Sequence, residues 1–377
     1  MILSADILKD IEAHSQEALE LLMELGKIPA PSHHEEKRAE FCKNWLEQQG
    51  AQGVYIDEAL NVIYPVGCTD SNPLVVFMAH TDVVFPDMDE LPMSVSDGKL
   101  YCPGIGDDTI HLVALLMAAK YIARHNLVPA NCGMLLVANS CEEGLGNLKG
   151  SRKIVEDFGD RITEFVSFDG PSTRVTRTAV GSKRYKVEID TEGGHSYSGF
   201  GRRNAIAYLA SLIDTLYTMK VPTRGRTTYN VGIISGGTSV NTIAQHAEML
   251  FEFRSDNRED LAEMQTHFQA ALDYYATKGI RVTATLVGDR PCGIEIDKEK
   301  HEALLNRAVS AIEKYFHFTP EFTSGSTDCN IPLSMGIPAV CLPCAHGAGV
   351  HTREEYIEID SQLPGLKVAF EMILHYM

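Results

Sequence analysis

The segment Leu74-Val75-Val76-Phe77-Met78-Ala79 is an unbroken apolar run that leads directly into His80-Thr81-Asp82. A strand with one wet face alternates apolar and polar residues; an uninterrupted run fits a strand covered on both faces, as in a parallel sheet between helix layers. A chain that contains such a strand must also supply the covering helices, so this run constrains the fold more than any other stretch. It further delivers an imidazole and a carboxylate to a strand end, a pairing that can orient a metal-binding histidine. Two polar residues at a strand end are more often solvated loop, and the weight of His80 depends on what collects at other strand ends.

The rest of the chain supplies the helices. Apolar spacing through Ile7, Leu8, Ile11, Leu19, Leu22 and Met23 predicts a helix over 4–26. Ser32 and Glu35 read as a capping box for a second helix that continues through Trp45 and Leu46 to Gly50, with His33 and His34 in its solvated first turn. Strands are expected near 54–56, 62–65 and 74–79, a helix over 109–125, and strands over 133–139 and 165–168, the last ending on Asp169-Gly170. This is α/β organisation. From about residue 174 the pattern becomes amphipathic: strand 185–190, helix 204–219, strands 229–235 and 247–254, helix 258–278, strand 281–287. That β-α-β-β-α-β order is the ferredoxin-like sequence of elements. After Pro291 the α/β rhythm returns with a helix over 298–316, a strand over 339–342 and a helix over 361–377. The economical reading is one α/β domain in two segments, 1–179 and 288–377, with a second domain, 180–287, inserted.

Composition narrows the partners. With 33 basic against 51 acidic residues in 377, the formal net charge is -18, which repels nucleic acid and anionic membranes; neither is expected as a partner. The first residues lack the basic region and long apolar core of a signal peptide, and no apolar stretch would span a bilayer. Nine cysteines, odd in number and scattered, fit reduced thiols of a cytoplasmic protein. Cys341-Leu-Pro-Cys344 lacks the second pair of a structural zinc site, and the glycines of 144–150 do not form a phosphate-binding loop.

Further acidic residues fall where the strand-end argument needs them. Asp107-Asp108 follow Gly104-Ile-Gly and precede the helix near Thr109; Glu142-Glu143 follow the strand 133–139; Asp169 ends the next strand. Either glutamate could bind a cation while its neighbour accepts a proton. His351, after the glycine-bearing loop 345–349, can return a second imidazole to the same edge, with His346 as a rival. Individually each is an ordinary turn or cap residue. Jointly, two imidazoles and three carboxylates suffice for two divalent ions if one carboxylate bridges them, with zinc the first choice and cobalt or manganese next.

These motifs, spread over essentially the whole chain, resemble the M20 co-catalytic zinc metallopeptidases and deacylases. The resemblance implies a zinc-exopeptidase-like catalytic domain with a mixed, mostly parallel sheet and an inserted α+β ferredoxin-like lid and dimerisation domain. It makes His80 a ligand of one metal, Asp107 the bridge and Glu143 a ligand of the other metal, with Asp169 and His351 completing the shells. Asp82 then orients His80, Glu142 is the general base, and Asp107-Asp108 carry the family's cis peptide. Gly193-Gly194-His195-Ser196 resembles the lid histidine that stabilises the oxyanion, a donor worth about 3 kcal/mol, and that reaches a partner's active site in dimeric members. Asn241, in the loop 236–241, resembles a substrate contact, and Arg254 the arginine that clamps a substrate carboxylate.

Two departures are evident. Thr109-Ile110-His111 stands where the family often has Lys and Gly, and His346 interrupts the glycine stretch before the last ligand. His351 is preferred because His-Thr-Arg-Glu-Glu-Tyr resembles the family's closing motif. The implied activity is hydrolysis of an amide bond in small peptides, of di- or tripeptidase or aminopeptidase type, through a metal-bound water with Glu142 as base. Asp169-Gly170 and the segment 324–332 (Ser-Gly-Ser-Thr-Asp-Cys-Asn-Ile-Pro) favour the tripeptidase-like branch. An N-acyl amino acid deacylase or amidase is the alternative, and a catalytically silent peptide- or amino-acid-binding relative a more distant one. A homodimer through the inserted domain is also implied.

Overall fold

The apolar run forms the strand Leu74–His80, with every residue buried, near the middle of an eight-stranded sheet. The computed structural model describes residues 3–377. Across the sheet the order is Tyr55–Ile56, Val62–Val66, Gly133–Asn139, Leu74–His80, Ile162–Phe168, Ala339–Leu342, Arg174–Ala179 and Glu321–Gly325. The four central strands, from Gly133–Asn139 to Ala339–Leu342, run parallel; Val62–Val66 and Arg174–Ala179 join them antiparallel, and Glu321–Gly325 pairs parallel to Arg174–Ala179 at the far edge.

Both faces of this sheet are covered, as the unbroken apolar run demands. On one face Phe77, Ala79, Leu136 and Phe168 pack with the helices Ile110–His125 and Gln362–Leu374; on the other, Val76, Met78, Leu135, Val137 and Phe165 pack with Ile154, Ile331 and Leu333. The helix Ile110–His125 is buried over most of its circumference, which is why its sequence shows little amphipathic contrast. Phe77 stacks on Phe168 at 6.0 Å and meets Tyr376 edge-on at 5.9 Å.

The chain divides into two compact units, Met1–Ala179 with Ile294–Met377, and Val180–Gly293. In the second, a four-stranded antiparallel sheet is ordered Thr227–Gly236, His246–Ser255, Gly181–Asp190, Arg281–Arg290. The helices Ala205–Tyr217 and Arg258–Ala276 pack on it around Leu209, Phe251, Phe253, Met264 and Phe268. Asn204 caps the first of these helices through the amides of Ile206 and Ala207, and Asn257 caps the second through that of Asp260. The last strand continues to Arg290, past the boundary expected at 287, because a bulge between Leu286 and Gly288 keeps it paired to Gly181–Asp190.

Other differences from expectation have local causes. The helix expected over 4–26 is two, Ala5–Ala13 and Ser15–Lys27, parted at His14, whose φ of -101° and ψ of 8° interrupt the spiral. The Ser32–Glu35 capping box does not form: the helix Glu36–Gln48 has no side-chain cap, and both residues serve other partners described below. A small sheet of Gly347–Ala348, Tyr356–Glu358, Lys99–Tyr101 and Ser94–Ser96 escaped the sequence reading because strands of two or three residues are too short to show alternation. All nine cysteines are free, and among the described residues no helix is long and apolar enough to cross a membrane.

Phe77 is fully buried, so Phe77→Ala is expected to lower stability by about 3–5 kcal/mol. Phe77→Leu, which keeps most of the volume, should cost less than about 2 kcal/mol. Urea unfolding followed by the fluorescence of Trp45, in the same unit, measures both.

Candidate metal centre

The carboxyl ends of the parallel strands set the site. His80 ends its strand and pairs in register with Asn139; Glu142 and Glu143 follow Asn139 in the next strand's loop, and Asp169 directly follows Ile162–Phe168. Asp107 comes from the loop before Ile110–His125. There Gly104 has a φ of +75°, and a Cβ on it would stand 2.3 Å from Val83, so only glycine lets the loop lie so close to the strand. The peptide bond between Asp107 and Asp108 is cis.

His80 is almost fully buried, and its Nδ1 lies 3.0 Å from the main-chain oxygen of Asp82 and 3.4 Å from Asp82 Oδ1. A ring held this way carries its proton on Nδ1 and presents Nε2 as a ligand atom. That Nε2 lies 3.0 Å from Asp107 Oδ1 and 3.9 Å from Asp169 Oδ1. On the other side, His351 Nε2 lies 3.1 Å from both Asp107 Oδ2 and Glu143 Oε1. The two oxygens of Asp107 thus face two different imidazoles, the disposition a bridging carboxylate requires. Ligand atoms of His80, Asp107 and Glu143 all lie within 4.8 Å of one another, as do those of His80, Asp108 and Asp169. This mixed nitrogen and oxygen set, partly buried and crowded with acids, fits divalent cations of the zinc, cobalt or manganese type.

Electrostatics agree with a site built for cations. Burial resists ionisation of Asp107, but hydrogen bonds from His351 and His80 hold its carboxyl well below the usual range. Burial pushes Glu143 up to about 7 against the His351 hydrogen bond, and burial with the Asp107 and Asp108 charges pushes Asp169 well up. His351, between Asp107 and Glu143, is raised to about 10 by its hydrogen bonds to them. For His80 burial opposes the charge, yet Asp108, Asp107 and Asp82 together raise it well above an ordinary imidazole. His111, where the family pattern departs, is fully buried with Nδ1 2.8 Å from Asp108 Oδ1, and burial lowers it to about 3.

Several supporting residues were not recognised in the sequence. Ser32 Oγ donates to Asp82 Oδ2 at 2.6 Å, and the same carboxylate accepts the amides of Glu142 (2.9 Å) and Glu143 (3.0 Å). Glu35 Oε1 accepts the Cys141 amide at 3.0 Å and its thiol at 3.1 Å, fastening the loop that carries both glutamates. Arg38, fully buried, donates to the carbonyl oxygens of Ile28 and Thr81 and to Thr109 Oγ1. Glu355 accepts amides from the Asp107 loop. The S-x-x-E spacing was a signal misassigned to a helix cap; for Arg38 the one available signal was a charge on an otherwise apolar helix face.

His346 is not beside this cluster: its ring packs at a tilt against Phe316 at 4.7 Å and Phe318 at 5.5 Å. The remaining residues singled out in the sequence belong to the second unit. His195 pairs with Thr242 in a two-residue ladder, and its Nδ1 accepts the Tyr197 amide at 3.2 Å. The Ser196 amide donates to the Asn241 carbonyl oxygen at 2.9 Å, so the His195 and Asn241 loops adjoin. Arg254 makes a two-pronged bond to Glu252, at 2.9 and 3.0 Å.

A sequence profile described as peptidase family M20/M25/M40 matches residues 76–375. The protein YqjE of Bacillus subtilis is 23% identical over 364 residues, covering 91% of this chain and 93% of its own. A succinyl-diaminopimelate desuccinylase of Burkholderia pseudomallei is 26% identical over 325 residues, covering 81% and 83%. Among solved structures, a tripeptidase from Staphylococcus aureus superposes with a TM-score of 0.76 at 22% identity, covering 95% of this chain and 97% of its own. The dipeptidase Dug1p of Saccharomyces cerevisiae gives 0.76 at 16% identity, covering 98% of each chain. At these identities the structural likeness speaks for the fold.

Cation uptake should release protons. The carboxylates around His80 and His351 favour the charged form of both imidazoles, and a ligating nitrogen must be deprotonated, so apparent affinity should rise with pH, by about tenfold per unit for each proton expelled. Calorimetric titration with zinc in two buffers of different ionisation enthalpy measures that number; a value of zero would contradict the geometry.

Proposed function

This chain belongs to peptidase family M20/M25/M40 and is an enzyme acting on peptide or amide bonds; from that premise we propose a di-metal hydrolase of small peptides, of di- or tripeptidase or aminopeptidase type. The observation that carries the reading is Asp107, whose two carboxylate oxygens face His80 and His351 with Glu143 and Asp169 alongside. Two divalent ions, zinc in our reading, would supply Lewis-acid polarisation of the scissile carbonyl and make water nucleophilic at neutral pH. Glu142, whose amide is anchored on Asp82 Oδ1, takes a proton from the attacking water and returns it to the leaving amine. Asp82 keeps the His80 ring in one tautomer. His195 is the proposed donor to the oxyanion, Asn241 a substrate contact, and Arg254 the carboxylate clamp, a role for which it would exchange its Glu252 partner for substrate.

The tripeptidase fold neighbour and the Asp169-Gly170 pattern support the peptidase reading. The desuccinylase relatives favour a second reading, hydrolysis of an N-acyl amino acid at the same centre. We also propose a homodimer through the second unit: the strand Thr227–Gly236 lies at an edge of its sheet and exposes Ile233 and Ile234. Nine unpaired thiols support a cytoplasmic location.

Assay of the protein against a panel of di- and tripeptides and N-acyl amino acids, with and without chelator, separates the readings: chelator-sensitive cleavage of free peptides supports the first, exclusive cleavage of acyl substrates the second. Glu142→Ala should lower kcat by about 10²–10⁴ while bound metal is retained; loss of metal with substantial residual turnover would remove its role as base. Arg254→Ala should raise KM for substrates with a free carboxylate, and an equal effect on analogues lacking it would discard the clamp.

A further inference from the structure

Glu355 is fully buried and lies four residues beyond His351. Its carboxylate accepts three main-chain amides from one loop: Gly104 N at 2.9 Å on Oε2, Gly106 N and Asp107 N at 2.8 Å on Oε1. Its own carbonyl oxygen accepts the Cys102 amide at 3.1 Å, and its amide donates to the Thr352 carbonyl oxygen at 3.3 Å, closing a turn that begins one residue after His351. The fit is close: a Cβ on Gly106 would stand 3.2 Å from Glu355 Oε1 and 2.7 Å from Pro171. One side chain therefore joins the segment that brings His351 to the loop that brings Asp107.

We propose that Glu355 is a positioning residue that holds the donors of the His351-side cation position, so that its loss weakens the second ion more than the first. The proposal rests on the di-metal reading above and concerns how the site is held. On the His80 side, the ring is fixed by Asp82 and Asp169 leaves a central strand directly; neither depends on Glu355. On the His351 side, both His351 and the second oxygen of Asp107 rest on segments that Glu355 ties together. Releasing the tie loosens two of the three donors gathered there, while on the His80 side only the shared Asp107 is loosened and both His80 and Asp169 stay in place. Glu355 accepts main-chain amides and touches no proposed ligand side chain, so its effect on the site passes through the loops it holds.

The test uses the full chain, stripped with chelator and titrated with zinc. Ions bound per chain are counted by mass spectrometry after ultrafiltration, and stepwise affinities come from competition with a chelating dye. In Glu355→Gln one arm keeps an acceptor and the other turns an NH2 against an amide N–H. The first ion should bind within a few-fold of wild type and the second about 10–100-fold more weakly, the usual effect of removing a group that orients a ligand. Glu355→Asp, which keeps the charge on a shorter arm, should fall between. It is read by the same criterion where the Gln variant does not fold. Two unchanged steps, or two steps weakened by one common factor, overturn the proposal. A wild-type chain that binds fewer than two ions overturns the di-metal reading itself, and the proposal with it.

Discussion

The carboxylate of Asp82 is the interaction on which the site depends. Fully buried behind His80, it takes the Ser32 hydroxyl, the amides of Glu142 and Glu143, and stands against the His80 ring. Burial alone would force it neutral, but the bond and charge of His80, then Ser32 and the Glu143 amide, hold it below the ordinary carboxylate range. An ion so placed is retained only when nearly all its lone pairs are used, since an unpaired buried charge costs several kcal/mol. The same bonds fix where three distant segments of chain meet. The geometry of the cluster around His80 thus follows from the solvation needs of one buried anion.

Glu35 and Glu355 repeat the device: Glu35 takes the amide and thiol of Cys141, and Glu355 takes three amides of the Asp107 loop. Loops without regular structure have unpaired amides, and a buried carboxylate satisfies several at once where a neutral acceptor would bind each more weakly. Arg38 supplies the opposite charge from beneath, between the Thr81 carbonyl oxygen and Thr109. The acidity of the chain therefore has two components near the site: carboxylates that gather around the His80 and His351 imidazoles and carboxylates that build the loops.

The sequence made the fold class legible because its strongest signals are burial signals. The runs 74–79 and 133–139 are apolar without alternation, and only a sheet covered on both faces accommodates them. The ferredoxin-like order of the second unit was legible for the opposite reason, since its strands alternate, as in the buried and half-buried pattern of His246–Ser255. At the site, His80, Asp107, Glu143, Asp169 and His351 stood out because each follows a strand or a glycine turn. Ser32, Glu35, Arg38 and Glu355 did not, because their partners lie far along the chain: Glu35 bonds Cys141 and Glu355 bonds Gly104. Local spacing carries no information about such partners, and where it offered a meaning, as in the S-x-x-E pattern, it offered the wrong one.

The strand Ala339–Leu342 lies between Ile162–Phe168 and Arg174–Ala179, so the large sheet is completed by a segment made long after its neighbours. On a ribosome, the first 179 residues would emerge with Ile162–Phe168 lacking a parallel partner on one side and with His351 still to be translated. The side-chain cluster at the strand ends is therefore completed late, after the second unit has been synthesised. A nascent or truncated chain that stops short of this strand holds His80, Asp107, Glu143 and Asp169 without the His351 imidazole that meets Asp107 and Glu143 in the full chain.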